Sequence, residues 1–293
     1  MNGKFANDEE YLKWINEQFD ARGIDASIAN VDGRYALRYL GKLEYRNENL
    51  TSEEQVETVE GDSSEWTVRD NTIVAYWGEK SNVVIPNVVN GQIITKIEEG
   101  VFNNHPEIET VEFCDGLVYL GNDLFNKNYV PNLKNIGSFP TTLRTIGLRA
   151  FKNQDTITTT ISLNKVETVE AEAFSGCENI TGEVTSVLRK GVTYGENAFQ
   201  GCKSLTGDIG TALEVLIDEE DNTIPANMFS GWSGLTGTIK IGSNIEIIEE
   251  NAFKDCSGVT GIDFSEATSL IEIGDEAFSG TTSLGKDTFN RSL

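Results

Sequence analysis

Eight phenylalanines divide most of the chain at nearly even intervals: Phe102, Phe125, Phe151, Phe174, Phe199, Phe229, Phe253 and Phe278, 23 to 30 residues apart. A period of 20 to 30 residues is the mark of a repeat array. One such unit cannot bury its apolar face alone, so successive units stack and share one continuous core. The arrangement is that of a solenoid, which offers long surfaces and grows linearly with the number of units.

The neighbours of each Phe repeat in register. Before it stands a small or apolar residue: Val101, Leu124, Ala150, Ala173, Ala198, Met228, Ala252 or Ala277. Five residues before it come Ile97, Leu120, Ile146, Val169, Tyr194, Ile224, Ile248 and Ile273. Six residues after it come Ile108, Ile157, Ile180, Leu205, Leu235, Val259 and Leu284, and in the second unit Leu133 replaces the out-of-register Pro131. Short alternating runs follow, such as Ile108–Phe113, Leu235–Ile241 and Val259–Phe264, which predict short strands with apolar side chains inward. Each unit is therefore expected to hold a short strand, a turn, a hydrophobic step, Ala-Phe and a polar turn. Stacked strands give a parallel sheet rising about 4.8 Å per unit. The 30-residue spacing from Phe199 to Phe229 predicts an insertion, placed at the acidic run Asp218-Glu219-Glu220-Asp221 and expected to bulge as a loop.

Several of these stretches resemble a known family. They are Gly-Leu-Arg-Ala-Phe (147–151), Glu-Ala-Glu-Ala-Phe-Ser-Gly-Cys (170–177), Gly-Glu-Asn-Ala-Phe-Gln-Gly-Cys (195–202) and Glu-Glu-Asn-Ala-Phe-Lys-Asp-Cys (249–256). With Val-Val-Ile-Pro (83–86) and Asn-Gly-Gln-Ile-Ile-Thr-Lys-Ile (90–97), they resemble the BspA-like leucine-rich repeats over about residues 66–289. The resemblance implies an α/β-type repeat solenoid, a curved stack of short parallel strands, and in many relatives adhesion or protein binding. It implies no catalytic residue.

Residues 1–65 lie outside the repeat and are expected to form a small α+β module ahead of the solenoid of residues 66–293. Asn7 or Asp8 caps a helix to about Ala21, with Leu12, Ile15 and Phe19 on one face, Tyr11 and Trp14 widening that apolar stripe, and Gly23 as the stop. Ala26–Val31, Asp32-Gly33 and Arg34–Leu40 predict a hairpin with a primed turn. The acidic stretch 48–65 suggests a linker. The module either caps the first unit or anchors the chain to a larger assembly or to its own copies through that stripe.

The formal net charge of −24 sets nucleic acid and anionic lipid aside as partners. No run of residues approaches the roughly 18 apolar positions of a membrane span. Polar Asn7-Asp8-Glu9-Glu10 stands where the core of a secretory leader would begin. The missing leader and the aromatic N-terminal module favour a virion component, released by lysis, while the family resemblance leans toward a cell-surface adhesin.

No motif carries catalysis. There is one histidine, His105, and no nucleophile elbow, phosphate loop or paired-histidine zinc motif. Cys177, Cys202 and Cys256 share the position three after Phe, where other units hold His105, Asn128, Gln154, Trp232 and Thr281. That mixture speaks for small buried thiols rather than zinc ligands, with a Cys177–Cys202 disulfide as the alternative. The run 218–221 has oxygen ligands but lacks the spacing of a calcium loop. The sequons at Asn49, Asn179 and Asn290 are attributed to chance. No cofactor or metal is assigned.

Alternation along the strand runs points Thr110, Glu112, Thr160, Ser162, Glu183, Thr185, Asp208, Gly210, Thr238, Lys240, Gly261 and Asp263 outward. This small, weakly acidic ladder lacks the aromatic and arginine anchors of tight interfaces. It is either a plain solvated face or a broad, weak surface for a protein or host-surface partner, made useful by multiple copies. A structural spacer is the other non-enzymatic alternative.

Overall fold

The computed structural model describes residues 13, 26–31, 34–39, 58–217 and 221–281. The expected helix with Tyr11, Trp14, Ile15 and Phe19 lies outside these residues, as do Asp218, Glu219, Glu220 and Leu284. The expected hairpin is present: Ala26–Val31 pairs antiparallel with Arg34–Tyr39, with Val31 opposite Arg34.

The repeats form two ladders rather than one. The downstream ladder is the expected one. Asn82–Ile85, Thr110–Phe113 and Asn135–Ile136 pair in parallel, followed by a single bridge from Thr160 to Thr181. It resumes as Gly182–Glu183, Leu205–Asp208, Leu235–Lys240 and Val259–Asp263. The hydrophobic step five residues before each Phe is a second ladder. Thr72–Tyr76, Lys96–Ile97, Tyr119–Leu120, Thr145–Ile146, Thr168–Val169 and Thr193–Tyr194 run parallel, with Trp66–Arg69 antiparallel at the near edge. Thr223–Ile224, Ile247–Ile248 and Glu272–Ile273 form a separate three-stranded sheet. Most strands of this ladder are two residues long, with a single inward side chain, so no alternation reveals them.

Between the ladders runs the phenylalanine column. Phe102, Phe125, Phe151, Phe174 and Phe199 stack at centroid distances of 4.9 to 5.3 Å, matching the rise between paired strands. Phe229, Phe253 and Phe278 continue at 5.2 and 5.3 Å. Burying each ring contributes about 1.5–3 kcal/mol. Ile273, in the register filled by buried Ile224 and Ile248, is 48% exposed on the last described rung.

The column breaks once. Trp232 stands edge-on between Phe199 and Phe229, at 5.9 Å and 87° from one and 5.7 Å and 80° from the other. Here the upstream ladder is also interrupted, between Thr193–Tyr194 and Thr223–Ile224, while the downstream ladder runs on. The insertion is not simply an acidic loop. It begins with an α-helix, Ile209–Leu216, whose first turn is capped by Asp208 Oδ1 accepting from the Thr211 amide at 3.0 Å.

The turns around each Phe share an unusual backbone. Two residues before it, Gly100, Asp123, Arg149, Glu172, Asn197, Asn227, Asn251 and Glu276 all have φ between 50° and 66°. This left-handed region costs most residues roughly 1–2 kcal/mol and Asn or Gly less. The cost at Arg149 is offset by a two-pronged pair with Asp123, Nε–Oδ1 at 2.9 Å and Nη2–Oδ2 at 2.7 Å.

Candidate functional site

The position three after Phe explains its mixed occupancy. At Gln154, Cys177, Cys202, Trp232 and Cys256 the side chain donates to a carbonyl one unit back, whereas Thr281 Oγ1 donates to Phe278 O of its own unit. Gln154 Nε2 reaches Phe125 O at 2.8 Å, Cys177 Sγ reaches Phe151 O at 3.0 Å and Cys202 Sγ reaches Phe174 O at 3.3 Å. Trp232 Nε1 reaches Phe199 O at 2.8 Å and Cys256 Sγ reaches Phe229 O at 3.0 Å. His105 Nε2 faces Tyr76 O at 3.1 Å, and its Nδ1 faces Glu107 Oε1 at 2.6 Å. In these five units residues of very different size supply the same donor.

None of the four cysteines is in a disulfide. Burial pushes the thiols of Cys177 and Cys202 up, and that of Cys256 up to about 12. They are core residues with one weak donor each. Among the described residues no group of three His, Cys, Asp or Glu could hold a metal ion.

The outward positions of the downstream ladder do not form one uniform strip. Thr110 and Glu112 flank buried Val111, with Glu112 exposed and opposite Val84, which is 43% exposed. Thr110 Oγ1 donates to Asn82 Oδ1 at 2.7 Å. Thr160 and Thr181 share their hydroxyls at 2.8 Å, and exposed Ser162 lies on a cleft of about 250 Å³ between residues 137–141 and 160–166. Glu183 is exposed on its strand, but Thr185 sits on a helical turn, Val184–Val187. Asp208 ends its strand and caps a helix, and Gly210 lies within that helix, so neither continues an outward strand as expected. The Thr-Gly pairs lead from these strands into tight backbone: a Cβ on Gly207 would lie 2.6 Å from Val184 Cγ2. At the far end Thr238 lies opposite Gly261 and Lys240 opposite Asp263. The Ser265 hydroxyl and amide, and then Lys240, hold the Asp263 carboxyl below the usual carboxylate range.

The hydroxyls are largely spent inside the sheet. Thr206, Thr236 and Thr260 Oγ1 donate to Gly182 O, Gly207 O and Gly237 O at 3.4, 3.4 and 3.0 Å. What the ladder offers a partner is chiefly charge, with Glu112 near one end, Glu183 towards the middle and Lys240 beside Asp263 at the other.

An aromatic platform exists, though off this ladder. Trp77, directly after the strand Thr72–Tyr76, is 67% exposed. Ile73 and Tyr76 are buried and Trp77 points away. Alternation beyond Tyr76 was the signal that could have found it.

These two ladders and one shared core define a leucine-rich-repeat solenoid. The BspA-type leucine-rich repeat region matches residues 79–206 and 222–293, in six copies, and the chain belongs to that family. A leucine-rich repeat protein of T. pallidum has the same fold, with 16% identity over 78% of this chain and 92% of that one and a TM-score of 0.50. A leucine-rich repeat protein from Bacteroides ovatus is similar at 20% identity over 87% of this chain, with a TM-score of 0.53. This chain spans 55% of that protein's length. No curated protein matches the sequence. Among the described residues no helix is long and apolar enough to cross a membrane.

Proposed function

We propose that the chain is a non-enzymatic binding or adhesion protein that presents the outward edge of its downstream ladder to a protein on a host or neighbouring cell. The observation that carries this is that Glu112, Glu183 and Lys240 stand exposed along the downstream ladder, where the hydroxyls of Thr110, Thr160, Thr206, Thr236 and Thr260 are already bonded within the protein. Such a face offers charge at separate points along its length and suits a broad, multivalent contact. Family membership supports a cell-surface setting. The virion setting rested on how the chain begins, and neither the fold nor the relatives add support to it.

In this proposal residues 1–65 hold the protein to a larger assembly or to its own copies through Tyr11, Trp14, Ile15 and Phe19, while the net charge of −24 keeps neighbouring solenoids apart. Fluorescently labelled full-length chain is incubated with intact epithelial cells before and after trypsin treatment of the cell surface. The proposal expects saturable binding that trypsin removes. Binding that survives trypsin, or none at all, contradicts it.

A further inference from the structure

We propose that the cleft beside Trp77 is a binding subsite for a neutral sugar ring. A tryptophan left 67% exposed gives up most of its hydrophobic stabilisation, yet this one is held in place. Its backbone amide donates to Glu65 O at 2.7 Å and its indole Nε1 to Thr67 Oγ1 at 2.9 Å. The polar edge of the ring is therefore occupied, and its apolar face is what remains to bind.

The cleft has a volume of about 520 Å³ and runs between residues 74–79 and residues 100–107. That lies within the range of about 300–1,000 Å³ typical of small-ligand sites. Glu79, Asn103, Asn104 and Glu107 line it together with the indole. Exposed Asn104 and half-buried Asn103 bring side-chain amides to the lining.

The charge balance decides between a sugar and a cation. A cation seated on an aromatic ring gains most where carboxylates around it are unpaired. Here Glu107 faces His105 at 2.6 Å and Glu65 is paired with Lys80 at 2.7 Å, which leaves Glu79 as the carboxylate lining the cleft without such a partner. A pyranose fits this balance better. Its C–H face lies on the indole, and its hydroxyls donate to carboxylates and amide oxygens and accept from amide nitrogens. The subsite is separate from the ladder face and does not rest on the proposed protein contact.

The full chain is applied to an array of neutral oligosaccharides, and binders are titrated by tryptophan fluorescence. We expect at least one saturable neutral ligand, bound at least tenfold more weakly by Trp77→Ala and several-fold more weakly by Trp77→Phe and Asn104→Ala. Glu112→Ala should bind as the wild type does. Both Trp77 variants are checked for an unchanged melting temperature, and Asn104→Ala serves alone if either misfolds. Absence of any neutral ligand, binding undiminished in folded variants, or binding of a Lys/Arg decapeptide alone would overturn the proposal.

Discussion

Cys177 Sγ donates to the carbonyl oxygen of Phe151 at 3.0 Å, from one unit of the stack back to the one before. The same carbonyl accepts the Gln154 amide of its own unit at 3.1 Å. Each such oxygen ties the turn that makes it to the turn that follows. The contact is the side-chain counterpart of the strand pairing on either side of the phenylalanine column.

The buried thiols should be inert. Ellman titration should find four groups in denaturant without reductant and at most Cys114 reacting readily in the native protein. Burial raises the pKa of Cys177, Cys202 and Cys256 above the unfolded value of 9.0. A group whose pKa is raised by folding stabilises the fold below its unfolded value and loses that contribution as pH rises. Thermal melts should therefore fall from about pH 9 upward. Replacing all three cysteines by alanine should flatten that fall, while each loss of a donor costs about 1 kcal/mol at neutral pH.

Phe199 is the last ring of the first column, stacked on Phe174 at 5.2 Å and capped edge-on by Trp232. Phe199→Ala should cost about 3–5 kcal/mol. Hydrogen exchange should show the loss spreading to units on both sides, since each is stabilised by its neighbours. Protection lost in that unit alone would argue against a shared core.

How much of this the sequence showed depends on the length of each signal. The Phe column, the flanking Ala and the strand runs such as Ile108–Phe113 recur often enough for their periods to be counted, and they place the core directly. The upstream ladder was hidden because strands such as Thr168–Val169 have one inward residue. The helix Ile209–Leu216 was hidden because the run before it continues the strand alternation until Asp208 turns to cap. Trp77 was missed as a surface residue because tryptophan next to buried Tyr76 suggests core. The donor role three after Phe has no single residue type to mark it.

The left-handed backbone two residues before each Phe should discriminate by side-chain shape. At Asn251, with φ of 56°, Asn251→Gly should leave stability nearly unchanged. Asn251→Val should cost about 1–2 kcal/mol, measured by urea unfolding.

The Asp123–Arg149 pair should show in acid. The hydrogen bonds from Arg149, then that from Asn126, hold the Asp123 carboxyl below its ordinary value of 3.8. A depressed carboxyl stabilises the fold above its unfolded value and loses that contribution as pH falls through the folded value. Asp123→Asn should flatten the decline of melting temperature below about pH 4. At neutral pH it should cost only about 1 kcal/mol, because Arg149 is 38% exposed and solvent screens the pair.

The most direct test of the proposed binding face is equilibrium binding of labelled chain to epithelial cells, comparing wild type with the combined variant Glu112→Ala, Glu183→Ala, Lys240→Ala. These side chains are exposed and anchor no part of the core, so the variant should melt within about 0.5 kcal/mol of wild type. The proposal predicts cell binding weakened about tenfold or more, the scale of losing contact residues. Undiminished binding by the folded variant would contradict it.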